Sequence, residues 1–362
     1  MTRIICFHLF NDYSGSPKVL KIVLEGLLKK GYQINLITST GGALDELLYY
    51  KNLSKHSYPY RFSNNPIVTM LRYYMVQLYT FILTFRWLLY KDVTFYINTL
   101  LPVGPALAGR IMGKRVVYHY HENAFVKGTF YKVLATIMQK LAHKIICVSE
   151  YQASFLQQKK CVITVPNALP QNFVNRLTPN FQAAFKRKHI LMLGSLKLYK
   201  SPLEFIELTK RLPQFIFVLV INDTKENINI FIKEYKINIS KNLTIYPQQN
   251  DVVPFYNQTS LVLNLSNKKQ FVETFGLTAL EAMSAGLPVI VPTEGGIAEM
   301  VVDGENGYKI DVQNLNQIAE CIKTILSDET LYMELAQNAL AYSKRFSEAK
   351  MVNSIEMILN RK

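Results

Sequence analysis

Short apolar runs alternate along the chain with longer stretches whose apolar residues recur every three or four positions. Runs of this kind predict buried strands, and the periodic stretches predict amphipathic helices. In the first half, the predicted strands are Arg3–Phe10, Tyr32–Thr38, Thr94–Ile97, Arg115–Tyr120, Lys144–Val148 and Val162–Val165. In the second half, they are Ile190–Leu193, Phe215–Ile221, Leu243–Tyr246, Leu261–Leu265 and Pro288–Val291. This alternation predicts parallel sheets with helices on both faces.

The predicted helices lie between these strands. They are Pro17–Lys30, Pro202–Arg211, Ile228–Tyr235, Leu277–Ala285, Leu315–Leu326 and Glu329–Tyr342. Gly31 follows the first of them in the position where glycine commonly ends a helix.

The polar segment between Pro166 and Lys188 contains three prolines and predicts a boundary. We therefore predict an α/β protein of two doubly wound, Rossmann-like domains. The expected division is an N-terminal domain of residues 1–170, a linker of residues 171–188 and a C-terminal domain of residues 189–342. Residues 343–362 are expected to form a helix that packs back toward the N-terminal domain. Since open α/β sheets bind ligands at the carboxyl ends of their strands, we expect a site in a central cleft between the domains.

Composition narrows the class of protein. A chain of 362 residues is too long for one ordinary hydrophobic core, so two domains are expected. The four cysteines are scattered and form no CxxC motif, which is typical of reduced cysteines in a protein core. The aromatic, apolar stretch from Met70 to Tyr90 is interrupted by Arg72 and Arg86. The charge-free run between these two arginines is too short for a membrane-spanning helix. We expect a cytoplasmic protein that has no secretion signal and does not cross a membrane.

The charge is unevenly distributed. Residues 1–170 hold 20 Lys and Arg against 7 Asp and Glu, a net charge of +13, whereas residues 171–362 hold 21 against 19, a net charge of +2. A basic first half is consistent with nucleic acid, anionic lipid or a phosphorylated substrate as partner, or with a surface charge that only favours solubility.

The segment Phe271–Ala285 combines a loop, a helix start and two carboxylates. The first N–H groups of a helix beginning near Gly276 are free to bind a diphosphate. Glu281, one turn further on, could accept hydrogen bonds from the hydroxyls of a ribose. Glu273, in the loop before the helix, could accept them from a transferred sugar. The alternative is that both glutamates only complement the helix dipole.

This segment resembles the family 4 retaining glycosyltransferases of GT-B fold. The family pattern places E-x-FGL-xxxE before a GxPV segment and a GG loop, and Gly286–Val289 and Gly295-Gly296 match these parts. The match continues to Tyr308 through an apolar pair and a DGxNG segment.

The resemblance implies further site residues. Phe275, Gly276, Leu277 and Glu281 would bind the donor, together with Gly15, Ser195 and backbone groups at Val252 and Val253. Residues Tyr246–Tyr256 would hold the base through these two backbone positions. Lys200 would neutralise the leaving diphosphate, although Ser195 and Ser201 stand where the family has Arg and Gly. Catalytic roles would fall to Glu273, His121 and Lys200. Ser14, Asn167, His119 and Glu122 would lie on the acceptor side, with His119 as the fallback for His121.

The implied activity is that of a retaining hexosyl- or N-acetylhexosaminyltransferase in surface polysaccharide, capsule or lipopolysaccharide biosynthesis. Its donor would be a nucleotide-diphosphate sugar, with a UDP-sugar favoured and GDP-mannose also compatible. The chain contains no Asp-x-Asp and no P-loop, so we expect no metal and no cofactor. A sugar-nucleotide epimerase of the same fold is the alternative, whereas a phosphorylase lacks a candidate lysine. No nucleic-acid motif accompanies the charge, so nucleic acid is not expected as a partner.

The acceptor would be a glycan or a polyprenyl-diphosphate-linked sugar. Residues 127–144 predict a basic amphipathic helix, which could place the protein peripherally on the anionic inner face of the cell membrane. The stretch Met70–Tyr90 could add a second apolar surface. Alternatively, both segments pack on the sheet.

Overall fold

A computed structural model describes residues 3–63 and 65–360. It divides into two compact units. Unit 1 is Met1–Ala168 with Glu348–Lys362, and unit 2 is Leu169–Ser347. Residues 171–188 therefore lie in unit 2, where they include two short helices.

Unit 1 is built on a parallel sheet of seven strands among the described residues, in the order β3-β2-β1-β4-β5-β6-β7. The strands are β1 (Arg3–Phe7), β2 (Ile34–Thr38), β3 (Leu53–Ser57), β4 (Val93–Asn98), β5 (Arg115–Tyr120), β6 (Lys144–Cys147) and β7 (Val162–Thr164). Every residue of β4 is buried, as expected for a central strand covered on both faces.

The helices of unit 1 connect these strands. They are α1 (Gly15–Lys29), α2 (Pro66–Thr84), α3 (Val103–Ile111), α4 (Thr129–Leu141) and α5 (Glu150–Ser154), with short 3₁₀ turns at Ala43–Leu47, Phe85–Trp87 and Lys159–Cys161. The core contains Phe7, Phe95, Ile97, Tyr118 and Met138, which join the sheet to the helices.

Unit 2 has a parallel sheet of six strands in the part of the chain that is described, in the order β10-β9-β8-β11-β12-β13. The strands are β8 (His189–Gly194), β9 (Ile216–Ile221), β10 (Leu243–Tyr246), β11 (Leu261–Leu263), β12 (Val289–Val291) and β13 (Gly307–Lys309). The helices are α6 (Gln171–Val174), α7 (Phe181–Arg187), α8 (Pro202–Arg211), α9 (Lys225–Glu234), α10 (Val253–Asn257), α11 (Leu277–Ser284), α12 (Gly296–Glu299), α13 (Leu315–Ser327) and α14 (Glu329–Ser343), with a 3₁₀ turn at Leu198–Lys200.

Side chains with short polar groups start many of the helices. Each of the following N-cap residues accepts a hydrogen bond from the N–H three residues later, which satisfies one of the free donors at a helix start: Ser149, Asn180, Thr224, Asn314 and Asp328.

The last helix, α15 (Glu348–Asn360), belongs to unit 1. It packs on α1 and β4. Its final turn is held by Thr94 Oγ1, which donates to the Leu359 carbonyl at 3.1 Å, and by Arg115, which donates to the Ile358 carbonyl at 2.9 Å.

Each sheet has one place where the chain reverses the direction of strand addition. In unit 1 this switch point lies between β1 and β4, and in unit 2 it lies between β8 and β11. Ligands of doubly wound sheets bind at the carboxyl ends of the strands beside such a point. Two candidate sites follow from topology alone.

The predicted fold class of two doubly wound parallel sheets with helices is confirmed. Several elements differ from the predictions. Strand β1 ends at Phe7 and not at Phe10, and β11 ends at Leu263. Strands β3 and β13 were not predicted. Strand β3 carries polar residues and lies at an edge of its sheet, and β13 has the sequence Gly-Tyr-Lys, so neither produces an apolar run.

Candidate functional site

An ion pair lies at the switch point of unit 2. Lys200 follows β8, and Glu273 lies in the loop that follows β11; because these strands are neighbours, their loops meet. Lys200 Nζ donates to Glu273 Oε1, and Ser266 Oγ donates to the same oxygen at 3.0 Å. Both charged side chains are largely buried. The structure thus joins two of the three predicted catalytic residues.

The Glu273 carboxylate is stabilised in its ionised form. Burial alone would raise the pKa of this carboxyl. The charge of Lys200 and the hydrogen bonds from Lys200, Ser266 and Asn264 outweigh burial, so the pKa lies below its ordinary value. Glu273 is therefore an acceptor of hydrogen bonds at neutral pH.

Aromatic rings fix the Lys200 ammonium from a second side. Tyr199 and Phe271 stack with their ring centroids 4.8 Å apart, and Lys200 Nζ lies 4.2 Å from the centroid of the Phe271 ring. A cation over an aromatic face gains about 0.5–2 kcal/mol. The carboxylate and the ring together hold the charge at one place.

Helix α11 begins beside this pair. Gly276 is its N-cap with φ +93°, and a Cβ at this position would lie 2.4 Å from Ile297 Cγ1, so only glycine fits. Phe275 is buried against Phe346, and Leu277 is the first helical residue. The first turn contains no acidic residue and Gly276 supplies no side-chain cap, so no carboxylate of that turn neutralises the positive end of the helix.

The GG loop, Gly295-Gly296, contacts the backbone of Glu273. Gly296 N–H donates to the Glu273 carbonyl at 2.8 Å, and a Cβ at Gly295 would lie 2.5 Å from the same oxygen. The loop therefore positions the backbone of Glu273, and substitution of Gly295 would displace it.

Glu281 lies on α11 and accepts a hydrogen bond from the hydroxyl of Tyr256. Tyr256 is fully buried, and burial together with the Glu281 charge raises its pKa well above the ordinary value. The phenol is therefore a fixed donor that orients this carboxylate.

The predicted base-binding backbone lies at the start of α10. The N–H of Val253 donates to Asp251 Oδ1 at 3.2 Å, and the carbonyl of Val252 accepts from Phe255 N–H at 3.1 Å. These groups are engaged within their own turn, and contact with a base here stays a prediction.

The loop after β8 contains both positions that depart from the family pattern. Ser195 is partly buried, and its Oγ accepts from Lys197 N–H at 3.4 Å. Ser201 has φ +56° and is fully buried. This left-handed conformation is the physical reason why glycine suits the position.

Unit 1 presents Ser14 and Gly15 after its first strand. Ser14 is the N-cap of α1, and Gly15 is the first residue of that helix. Asp12 Oδ1 accepts hydrogen bonds from Ser14 N–H at 3.0 Å and from Ser14 Oγ at 2.6 Å. The Ser14 hydroxyl is thus directed toward Asp12.

A polar network lies at the switch point of unit 1. Asn98, the last residue of β4, contacts His8 Nδ1 through its amide nitrogen at 3.1 Å and His121 Nε2 through its amide oxygen at 3.0 Å. Since the amide nitrogen can only donate and the amide oxygen can only accept, the two contacts fix the tautomers of both rings. The ring centroids of His119 and His121 lie 4.1 Å apart. Nδ1 of His119 contacts the hydroxyl of Tyr96 at 2.7 Å.

The three imidazoles are neutral at physiological pH. Burial lowers the pKa of His8 to about 4, despite the opposing charge of Asp12, and lowers the pKa of His119 to about 3. Burial and the neighbouring rings also lower the pKa of His121 well below its ordinary value. Within the described residues, Nε2 of His8 and of His119 has no hydrogen-bond partner.

Of the other predicted acceptor-side residues, Asn167 is buried, Glu122 is half-buried and Ser14 is exposed. Burial raises the pKa of the Glu122 carboxyl, although Lys127 opposes the change, and Oε2 accepts from Leu100 N–H at 3.2 Å. Asn167 follows β7, and in the part of the chain that is described its Oδ1 has no hydrogen-bond partner.

Sequence reasoning missed His8, Asn98, Ser266 and Tyr256. His8 and Asn98 were hidden because strand-end positions are clear only once the strand boundaries and neighbours are known. Tyr256 lies within the predicted base-binding segment, but its partner is 25 residues away. Within residues 3–63 and 65–360, no group of three or more His, Cys, Asp or Glu is placed to hold a metal, and no helix is long and apolar enough to cross a membrane.

Comparison with known proteins supports the resemblance. Residues 176–342 match the family described as glycosyl transferases group 1. An uncharacterized glycosyltransferase of Haemophilus influenzae is 23% identical over 359 residues, which cover 95% of this chain and 96% of that protein.

Solved structures extend the likeness to the whole fold. The Anabaena protein HepE, crystallised with UDP and glucose, matches with a TM-score of 0.77 and 19% identity over 100% of both chains. WaaG, a glycosyltransferase involved in lipopolysaccharide biosynthesis, matches with a TM-score of 0.70 and 16% identity over 99% of this chain and 100% of its own. These likenesses confirm the predicted GT-B fold.

Proposed function

We propose that this glycosyltransferase, whose residues 176–342 belong to the glycosyl transferases group 1 family, moves a sugar from a UDP-sugar to a glycan or lipid-linked glycan with retention of configuration. The observation that carries the proposal is the Lys200–Glu273 pair beside the start of α11. A cation, a helix N-terminus and a carboxylate at one place suit a donor that has a diphosphate joined to a sugar.

Each group has a separate role in donor binding. The N–H groups at the start of α11 and the Lys200 ammonium would hold the diphosphate. Glu281, oriented by Tyr256, would accept hydrogen bonds from the ribose hydroxyls. Glu273 would exchange part of its contact with Lys200 for hydroxyls of the transferred sugar.

The reaction would break the bond between the sugar C1 and the diphosphate oxygen. The acceptor oxygen would form the new bond on the same face, and its proton would pass to the leaving phosphate. Lys200 and the α11 N-terminus would stabilise the charge that develops on the diphosphate. We assign no carboxylate as a covalent nucleophile.

The neutral network of unit 1 suits the acceptor side. His121, with its tautomer fixed by Asn98, would contact the reacting sugar or orient the acceptor. Ser14, His119, Glu122 and Asn167 lie in the same unit and would line the acceptor region, whereas Gly15 of this unit would bind the donor. Neutral rings and amides can bind hydroxyl groups without holding a competing phosphate.

A hexosyl or N-acetylhexosaminyl transfer in surface polysaccharide, capsule or lipopolysaccharide biosynthesis is the proposed context. UDP is favoured as the nucleotide because HepE was crystallised with UDP. The proposed location is cytoplasmic, at the inner membrane face, with the basic residues around α4 contacting anionic lipid. The epimerase alternative is not favoured, since the relatives named above are glycosyltransferases.

A thermal-shift screen with UDP, GDP, ADP and their sugars tests the donor. A nucleotide at about 100 times its Kd should add about 2.7 kcal/mol of stability. We expect UDP to stabilise the protein, Glu281→Gln to weaken this effect, and the control Glu294→Gln, an exposed carboxylate, to leave it unchanged. Failure of every nucleotide to stabilise the protein would contradict the proposal.

The anomeric configuration of the product tests the stereochemical part. Proton NMR of the product should show the configuration of the donor. Inversion would overturn the proposed same-face attack, and epimerisation of the donor without any acceptor would favour the alternative.

A further inference from the structure

Helix α2 carries large apolar side chains on the outside of unit 1. Six of them are 58–71% exposed: Ile67, Leu71, Tyr74, Met75, Leu78 and Ile82. Their spacing places them on one face of the helix. They span 15 residue steps, or about 22 Å along the axis at a rise of about 1.5 Å per residue. We call these six residues the apolar stripe.

The helix exposes more large apolar side chains than it buries. Its buried residues are Tyr73, Val76, Thr80 and Thr84. Thr80 Oγ1 donates to the Val76 carbonyl at 2.7 Å, and Tyr73 OH donates to the Leu101 carbonyl at 2.8 Å. The face toward the protein is therefore narrow and mixes core residues such as Tyr73 and Val76 with two threonines, whereas most of the large apolar side chains face outward.

The helix is held so that it cannot roll and bury the stripe. Gly104 N–H on α3 donates to Gln77 Oε1 at 2.9 Å. A Cβ on Gly104 would lie 2.2 Å from the Gln77 carbonyl oxygen, so the two helices meet backbone to backbone. The exposed stripe is therefore a fixed feature of unit 1.

The part of the sequence that contains α2 is strongly basic. Residues 61–144 hold 11 Lys and Arg against 2 Asp and Glu, a net charge of +9, and no charged residue occurs between Tyr73 and Phe85. Helix α4 buries its own apolar residues, including Leu134 and Met138, and leaves Lys132 and Lys140 exposed. It supplies charge, whereas α2 supplies apolar surface.

The positive charge near α2 favours an anionic bilayer over a second copy of the chain as the partner of the apolar stripe. Pairing with a second copy would bring two surfaces of the same positive sign together, at an electrostatic cost. An anionic bilayer attracts basic residues at its surface and offers an apolar layer below its headgroups. Exposed Tyr74 and Tyr79 also suit the boundary between these layers.

We propose that α2 lies flat in the headgroup region of an anionic bilayer with the apolar stripe buried. The basic residues of the neighbouring segments contact the headgroups. Membrane contact through α2 would keep unit 1 at the surface where a lipid-linked acceptor is found, and in this respect the inference rests on the proposed function.

Vesicle flotation with the full chain tests the proposal. The vesicles contain phosphatidylcholine alone or with phosphatidylglycerol. The stripe variant is Leu71→Gln, Leu78→Gln and Ile82→Gln. Its matched control changes three exposed apolar residues of unit 2: Ile230→Gln, Ile239→Gln and Val302→Gln. All changed side chains are exposed, so both variants should fold.

We expect the wild type and the control to float with the anionic vesicles, and the stripe variant to partition at least about tenfold less. Equal flotation of the stripe variant would overturn the proposal. So would a wild-type dimer that the stripe variant dissociates without any vesicle binding. The UDP thermal shift is measured on all three proteins, so a failure of donor binding is distinguished from a failure of membrane binding.

Discussion

The two units share one topology but place different chemistry at its switch point. In unit 1, Asn98 links His8 and His121, and the groups are neutral. In unit 2, Lys200 pairs with Glu273, and the groups are charged. Strand order explains why both positions collect polar side chains, but it does not determine which kind.

The difference separates two kinds of binding. A diphosphate carries negative charge, so the cation and helix N-terminus of unit 2 gain from its arrival. A sugar hydroxyl carries no charge and needs oriented donors and acceptors, which neutral imidazole and amide groups provide. The comparison therefore assigns the donor to unit 2 and the acceptor to unit 1 as our proposal.

Substitution of Glu273 should have the largest effect. Glu273→Gln keeps the shape of the side chain but removes the charge that pairs with Lys200 and contacts the sugar. We expect turnover to fall by about a thousandfold while UDP affinity changes by less than about threefold. Steady-state kinetics and calorimetric UDP titration measure the two effects.

Glu294→Gln is the matched control, because Glu294 is an exposed carboxylate paired with Lys268 near the same loop. Its turnover should be normal. Near-normal turnover of Glu273→Gln would show that the ionic site of unit 2 is structural, and the contrast between the units would lose its functional meaning.

Acid should weaken unit 1 before it affects the ion pair of unit 2. Buried His8 and His119 have pKa values of about 4 and about 3, below the ordinary value of 6.5. Between pH 6.5 and about 4 the unfolded chain binds protons that the folded chain does not, so the free energy of unfolding falls as pH falls. Each group contributes a slope of about 1.4 kcal/mol per pH unit. Glu122, with its raised pKa, opposes this loss in part.

Trp87 reports on unit 1 alone. It is the only tryptophan of the chain and is buried in that unit. Urea unfolding followed by its fluorescence should show a lower free energy of unfolding at pH 5 than at pH 7. His119→Asn should make the dependence shallower. An unchanged unfolding free energy across this range would contradict the neutral description of the network.

Much of the fold and part of the site could be predicted from the sequence. Buried parallel strands produce continuous apolar runs, so most strands were recognised within a few residues. The helix start at Gly276 and the placement of Glu273 and Glu281 around it also follow from local sequence. These features depend on neighbours in the chain and not on tertiary contacts.

The rest depends on contacts that sequence periodicity does not contain. For α2, the pattern does not determine which face is buried, because Gln77 and Thr80 bury polar atoms against α3 and their own helix. Recognition of His8 required the end of β1 and its neighbour Asn98, 90 positions away. Strand order, and not composition, brings these two side chains together.

Tyr256→Phe should have a smaller effect than Glu273→Gln. The variant keeps the buried ring and removes only the hydroxyl that donates to Glu281. We expect the Kd for UDP to rise by about tenfold, since a hydrogen bond to a charged group contributes about 1.5 kcal/mol or more. Tyr235→Phe, on an exposed ring of the same unit outside the predicted base-binding segment, is the control. An unchanged Kd would mean that Glu281 is oriented without Tyr256.

The smallest expected effect concerns Ser201, next to Lys200 in the switch-point loop of unit 2. Ser201 has φ +56°, and within the described residues its buried Oγ has no hydrogen-bond partner. Ser201→Gly relieves the left-handed strain and removes the buried hydroxyl, so stability should rise by about 1 kcal/mol. Ser201→Ala separates the two causes, because it removes the hydroxyl but keeps the strain. Thermal unfolding should therefore rank glycine above alanine. If alanine stabilises as much as glycine, the buried hydroxyl and not the left-handed backbone destabilises this loop. Backbone strain would then not explain why the family pattern has glycine at this position.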